Sequence, residues 1–277
     1  MTSKVPLAGV IGQPVGHSKS PRLHGWWLAR YGLRGHYVPL EIAEADLAEV
    51  LRALPRAGFV GTNVTIPHKQ AVMALTDDVS DRARRIGAAN FLTFRDDGGF
   101  TADSTDGYGF IQNLRQSLPD WDAAAGPAAI FGAGGAARAV IDVLLEAGVP
   151  ELRLSNRSRD KAEELAELFG PRVVVVDWAE AASMVDGAAT LVNTTSLGMT
   201  GQPPFTLSLS GIRPGAVASD LVYVPLETPF LVEAARHGAR TVDGLGMLLH
   251  QAVPAFARWF GRTPEVTDDL RQAMLAP

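Results

Sequence analysis

The chain has 277 residues, 47% hydrophobic and 20% charged, which suits one large or two ordinary soluble domains with material for two cores. A formal net charge of −5 argues against nucleic acid as the main partner. No apolar run reaches the roughly 18 residues of a membrane span, and the short run after Lys4 is broken by Pro6 and Gly9, so neither an anchor nor a signal peptide is expected. With no cysteine there can be no disulfide, thiolate metal ligand or cysteine nucleophile, an absence compatible with the cytoplasm.

In chain order, PLAGVIG (6–12) reads as a strand, a helix is expected near Pro21 to Tyr31, HYVPLEI (36–42) is a second strand, a helix follows from about Glu44 to Leu54, and FVGTNVTI (59–66) is a third strand. Phe91–Phe94 and Gly99–Ala102, separated by Arg95-Asp96-Asp97-Gly98, read as a hairpin that closes this first α/β layer. Asp106 to Leu118 reads as a linking helix. A strand, helix, strand unit then runs from Ala128 through a helical stretch, Val140 to Ala147, which stops at Gly148, to ELRLS (151–155). The pattern continues through RVVVVDWAE, ATLVNTTS and GAVASDLVY, and the tail from Leu245 is helical with apolar faces that suit packing on the first unit. No internal repeat is present.

Within AAIFGAGGAARAV (128–140), Gly132, Gly134 and Ala137 occupy the three small-residue positions of the dinucleotide fingerprint. Gly132 permits a tight turn, Gly134 lets the backbone approach a pyrophosphate, and Ala137 allows close helix packing; the helix N-terminus offers free N–H groups to the anion. An NAD site would carry Asp or Glu about 20 residues further on. This chain has Asn156, Arg157 and Ser158 there, and a guanidinium without a competing carboxylate favours a 2′-phosphate, hence NADP(H). The plainer alternative is that Arg157 is a solvated loop charge. A cofactor loop in the second unit puts the substrate at the cleft between units and the chemistry on the first. Residues 1–105 hold 12 Lys/Arg against 10 Asp/Glu and the remainder 13 against 20, so the first unit is slightly basic and tolerates an anionic small substrate.

Polar residues gather at the expected strand ends: Ser18-Lys19-Ser20-Pro21, Asn63 through Lys69, and Asp103 through Gly107. Each has a structural reading as well, with Ser20 as an N-cap before Pro21, Asn63 and Thr65 alternating on a strand, and Asp106 capping its helix. Nine ordered blocks give these segments a common meaning: GQPVGHSKSPRLH (12–24), NVTIPHK (63–69), IGAAN (86–90), STDGYG (104–109), GAGGAAR (132–138), NRS (156–158), NTTSLGM (193–199), DLVYVPLETP (220–229) and DGLGMLLHQA (243–252). In these the chain resembles the shikimate dehydrogenase family over nearly its whole length.

The resemblance implies reversible NADPH-dependent reduction of 3-dehydroshikimate to shikimate, a step toward aromatic amino acids. It implies an α/β fold with a substrate-binding domain over 1–105, a Rossmann-type doubly wound NADP-binding domain over 106–242, and C-terminal helices over 243–277 returning to the first. Lys69 and Asp106 would flank the reacting oxygen. Ser18 and Ser20 would hold the substrate carboxylate, with Thr65, Asn90, Tyr223 and Gln251 also at the substrate. Gly132, Ala133, Gly134, Gly135, Ala136, Asn156, Arg157 and Ser158 would bind the cofactor, with Asp81, Leu221 and Gly244 as further positions.

The chemistry independently needs such a pair, because hydride delivery to a ketone leaves an alkoxide-like oxygen that requires a positioned proton donor. Lys69 as acid and base with Asp106 as partner is the preferred division; the alternative is a Lys69 that only binds and polarises the oxygen. The chain departs from the family at Gly25, Phe91 and Ser104, where members often carry Asn, Thr and Asn, and it has Ser158 where they have Thr. None of these removes a named ligand. The six histidines, at 17, 24, 36, 68, 237 and 250, have no zinc-motif spacing, so no metal is expected. The rival readings are a quinate/shikimate dehydrogenase with relaxed NAD use and a non-catalytic NADP-binding regulator. The partner is a small molecule, without nucleic acid or membrane, and the protein a monomer or homodimer.

Overall fold

The computed structural model describes residues 4–276 and divides into two compact units, one taking in Met1–Asp106 and Leu249–Pro277, the other Gly107–Leu248. The first unit contains β1 (Leu7–Gly12), α1 (Ser20–Arg30), β2 (His36–Glu41), α2 (Leu47–Ala53), β3 (Phe59–Val64), β4 (Asp78–Val79), α3 (Asp81–Ile86), β5 (Phe91–Phe94) and β6 (Phe100–Asp103). Its sheet runs β2-β1-β3-β5-β6-β4. The strand β1 lies parallel to both β2 and β3, and the β5–β6 hairpin adds antiparallel to β3. The interior position of β1 explains its nearly continuous burial, while β2, at the edge, tolerates Pro39, which has no N–H for a ladder.

The helix α1 buries Ser20, Leu23, His24, Trp27 and Leu28, the spacing of a single helical face. It begins at Ser20 with Lys19 as its N-cap residue, so the capping role open to Ser20 is not the one it has; Ser18 Oγ accepts the Ser20 N–H at 3.3 Å. His24 is fully buried, stacked on Tyr37 with centroids 4.0 Å apart and ringed by Trp27, Phe256 and Trp259. Neither ring nitrogen has a hydrogen-bond partner among the described residues, and burial pushes the imidazole down to about 3.

A folded-state value below the unfolded one means that the unfolded chain takes up a proton the fold refuses. The stability contributed by neutral His24 is therefore complete above pH 6.5 and lost as pH falls toward 3. At about pH 5 the loss is about 2 kcal/mol. We expect His24→Phe to melt higher than the parent, by a wider margin at about pH 5 than at about pH 7.5. Equal margins would show that His24 is not the source of the acid sensitivity.

The second unit contains α4 (Asp106–Ser117), β7 (Ala128–Phe131), α5 (Gly135–Glu146), β8 (Leu152–Ser155), α6 (Arg159–Phe169), β9 (Val173–Val175), β10 (Thr190–Asn193), β11 (Val217–Asp220), α7 (Pro229–Arg236), β12 (Arg240–Val242) and the start of α8 (Leu245–Phe260); the rest of α8 and α9 (Asp268–Leu275) belong to the first unit. All its strands are parallel, in the order β12-β11-β10-β7-β8-β9. Counted from β7, this is the doubly wound order of dinucleotide-binding folds, with the strand direction of travel reversing between β7 and β10. The inner strands β7 and β10 are buried at every residue, and apolar clusters cover both faces of the sheet.

Three expected strands are shorter than their apolar runs. RVVVVDWAE supplies only Val173–Val175 before Asp177 leads into a 3₁₀ segment, Trp178–Val185. Asn193 Oδ1 accepts the Thr195 N–H, and Asp220 Oδ1 accepts the Val222 N–H, so side chains at the ends of β10 and β11 capture the backbone two residues on and turn it. Similarly, the helix expected from Glu44 to Leu54 is 3₁₀ over Glu44–Asp46 and α-helical only from Leu47. Among the described residues no helix is long and apolar enough to cross a membrane.

Candidate active site

In the first unit, Lys69 lies five residues beyond β3 and Asp106 opens α4. The Lys69 Nζ donates to Asp106 Oδ2 at 2.5 Å, with side chains 19% and 10% exposed, so the pair is largely shielded yet reachable. Asp106 Oδ1 accepts Asn90 Nδ2 at 2.7 Å. Both carboxylate oxygens are thus taken by side chains, which displaces the simple helix-cap reading of Asp106. Asn90 is itself locked: Nδ2 also donates to Gln251 Oε1 at 3.3 Å, and Oδ1 accepts the N–H and hydroxyl of Thr105 at 2.8 and 3.2 Å. Four of the expected residues, Lys69, Asn90, Asp106 and Gln251, therefore form one hydrogen-bonded cluster.

Thr65 is half-buried just past β3, and its backbone N–H donates to Ile11 O. Ser18 is half-buried and Ser20 buried at the start of α1. Lys19, between them, donates to Met274 O at 2.6 Å and so tethers this loop to the end of α9, a cation on helix C-terminal carbonyls. Asp81 opens α3 with a side chain 90% exposed and paired to Arg84, the arrangement of a helix first-turn acid. Among the departures from the family, Gly25 is exposed on α1, Phe91 packs on Trp259 with centroids 5.3 Å apart, and buried Ser104 donates its N–H to Asp103.

In the second unit, the β7–α5 turn carries Gly132 at φ 108, where a Cβ would lie 2.6 Å from Thr194 Oγ1. Gly134 is the N-cap of α5, and a Cβ there would meet nothing within 4 Å, so the surface above it is open. Gly135 and Ala136 begin the helix, whose first N–H groups have no intrahelical partner. Asn156 Oδ1 accepts the Ala133 N–H at 3.2 Å, tying the glycine turn to the segment after β8. Arg157 is exposed and, among the described residues, makes no ion pair, whereas Arg159 is spent on Glu163 and Asp177. Ser158 is the N-cap of α6 but its hydroxyl makes no cap bond. An open glycine turn, an N-terminus and an unpaired guanidinium fit a dinucleotide with an extra phosphate. Leu221 and Tyr223 follow β11; burial raises the Tyr223 phenol, which stays protonated and able to donate. At Gly244 a Cβ would lie 2.4 Å from Leu221 O, so glycine is required there by the loop carrying Leu221.

Comparison with known proteins bears on both clusters. Residues 10–92 match the family model described as shikimate dehydrogenase substrate binding domain, and 244–275 that of the shikimate 5′-dehydrogenase C-terminal domain. The NADP(+) shikimate dehydrogenase of Paracoccus denitrificans is 63% identical over 271 residues, 98% of this chain and 96% of that one. The chain belongs to the shikimate dehydrogenase family. Another such enzyme, from Cereibacter sphaeroides, is 62% identical over 99% of this chain and 98% of its own.

Shikimate dehydrogenase architecture extends across both units. The shikimate 5-dehydrogenase of Thermus thermophilus, solved with NADP(H) and shikimate, superposes with a TM-score of 0.87 at 36% identity, covering 98% of this chain and 99% of that one. A quinate dehydrogenase from Corynebacterium glutamicum, solved with NAD, gives 0.88 at 32% identity, covering 97% and 98%. Residues 127–194 also match a model for F420-dependent NADP oxidoreductases.

Residues outside the expected set complete the site. Tyr37 donates to Asn63 Oδ1 at 2.7 Å and Asn63 Nδ2 to Asn90 O at 3.1 Å, so a buried amide and phenol brace the backbone of Asn90. Ser80 and Arg82 fix Asp103, two residues before Thr105. Of these, the sequence carries a signal for Asn63, inside NVTIPHK, and for Asp103, at the head of the polar group 103–107; nothing in it pairs Tyr37 with Asn63 or Arg82 with Asp103.

Proposed function

We propose that the chain catalyses the reversible NADPH-dependent reduction of 3-dehydroshikimate to shikimate, with Lys69 as acid and base and Asp106 as its partner. The observation that carries this reading is the Lys69–Asp106 pair held by Asn90. Lys69 has three ammonium protons and spends one on Asp106, which leaves donors for a substrate oxygen. Bound NADPH supplies the hydride. Lys69 then neutralises the developing oxyanion by donating a proton, while Asp106 keeps the ammonium aimed and offsets its charge. In the oxidative direction the same pair accepts the hydroxyl proton.

Ser18 and Ser20 are assigned to the substrate carboxylate. Ser18 Oγ already accepts a backbone N–H, so its own proton is available to an anion. Thr65, Asn90, Tyr223 and Gln251 are assigned to the remaining polar groups of the substrate. On the cofactor side, Gly132 through Ala136 hold the pyrophosphate, Asn156, Arg157 and Ser158 the 2′-phosphate, and Leu221 and Gly244 the far end; Asp81 is the remaining assignment. The unit of β1–β6 is thereby the substrate domain and that of β7–β12 the NADP domain, in a cytoplasmic enzyme.

Incubating the purified protein with 3-dehydroshikimate and NADPH tests the reading: consumption of both in equal amounts with appearance of shikimate is expected. Tight NADPH binding without turnover would replace it with the regulator. A quinate enzyme using NAD is disfavoured by the absence of an acid at 155–158 and by the unpaired Arg157.

A further inference from the structure

Asp220, the last residue of β11, is wholly buried, as are Asn193 and Thr228 beside it. Its Oδ1 accepts Asn193 Nδ2 at 3.0 Å and the Val222 N–H at 2.9 Å, and its Oδ2 accepts the Thr228 hydroxyl at 2.6 Å. No cation bonds it among the described residues. On the neighbouring elements, Glu233 engages Arg236 and His237, Arg240 pairs with Asp120, Asp243 caps Leu245, and Glu227 is exposed. The strand β10 contributes no charged residue.

Every partner of Asp220 donates to it. Asn193 Oδ1 already accepts from Thr195, a backbone N–H can only donate, and Thr228 Oγ accepts the Leu231 N–H while giving its proton to Asp220. The ionised carboxylate accepts from all three donors; a proton on Oδ2 would have to be given to the remaining lone pair of Thr228 Oγ, which reverses that bond and leaves the Thr228 hydroxyl proton without an acceptor in this cluster. These bonds fasten both ends of the segment 221–228, which bears Leu221 and Tyr223 and connects β11 to α7. That segment is further pinned by Leu221 N–H to Asn193 O at 3.0 Å and Thr200 N–H to Val224 O at 2.9 Å.

We propose that Asp220 is a positioning residue: its buried carboxylate holds Leu221 and Tyr223 in the conformation that takes cofactor and substrate, and its protonation releases them. The assignment rests on the reading of Leu221 and Tyr223 given above. A carboxylate buried without a cation opposes folding when ionised, so geometry at the loop is the reason to keep it there. Burial pushes it up to about 6, which places its release in mildly acidic solution. Since that value is raised, ionised Asp220 adds nothing to stability; its contribution falls as pH rises from 3.8 through about 6.

The test measures NADPH dissociation constants by nucleotide fluorescence, with KM for shikimate alongside, for wild type, Asp220→Asn and Thr228→Val between about pH 5 and about pH 8. Asp220→Asn should weaken NADPH binding and raise KM about 5- to 20-fold at the alkaline end, with a melting temperature no lower than the parent's. The ratio of variant to wild-type constants should shrink below about pH 6, where wild type loses the same bonds. Because the cofactor phosphate titrates identically in both proteins, the ratio isolates Asp220. A pH-independent ratio near one overturns the proposal, as does a variant that merely melts early with unchanged constants. If Asp220→Asn does not fold, Thr228→Val decides: the acid weakening should move to higher pH, and an unmoved profile rejects the role. Wild type that binds NADPH but never turns over shikimate would sink the functional reading and leave the NADPH arm standing.

Discussion

Lys69→Ala is expected to lower kcat by roughly 10²- to 10⁴-fold, the range for removal of a general acid and base. The lysine contacts no other described acid than Asp106, and Asp106 is held independently by Asn90. Removing the ammonium should therefore leave the carboxylate and the amide cluster in place, so the loss reports on proton transfer and oxyanion stabilisation rather than on a collapsed site. A fall in kcat and kcat/KM together marks an interaction made in the transition state. If kcat is unchanged and only KM rises, Lys69 binds and polarises the oxygen, and the proton must come from elsewhere.

Arg157→Ala should raise KM for NADP about 10- to 100-fold while changing KM for NAD little, since a charge-assisted bond to phosphate is lost and NAD has no phosphate at that position. Among the described residues no ion pair competes for the Arg157 guanidinium, in contrast to Arg159, and this makes the prediction sharp. The KM for NADP of the parent should also climb with added salt more steeply than that of the variant. Parallel losses with both cofactors would show that Arg157 shapes the loop rather than reading the phosphate.

The doubly wound unit is legible because its inner strands are fully buried and read as short apolar runs, as at Ala128–Phe131 and Thr190–Asn193. What was not legible is short, polar or at an edge. The strand β4 has two residues, β12 is an edge strand with Arg240 and Thr241, and α3 carries three arginines on six residues, so none offers a clear period. The helix α6 is not among the expected elements although Ser158, the buried pair Ala162 and Leu165, and Gly170 mark its start, face and stop.

Of the site, Lys69, Asn90, Asp106 and Gln251 stand in legible motifs and are joined in one cluster. The bracing bonds are not legible, because one such as Tyr37 to Asn63 links strands β2 and β3 that are separated by β1, and no sequence period reports a contact across a sheet. Asp220 lies within DLVYVPLETP, but its importance comes from burial, which composition does not show.

The most direct test of the whole account is the initial rate of cofactor reduction by the purified protein with shikimate or quinate, each with NADP or NAD, at matched concentrations. Rapid turnover confined to shikimate with NADP is the predicted result. Equal or faster turnover of quinate, or of NAD in place of NADP, would contradict the roles given to Ser18, Ser20 and Arg157.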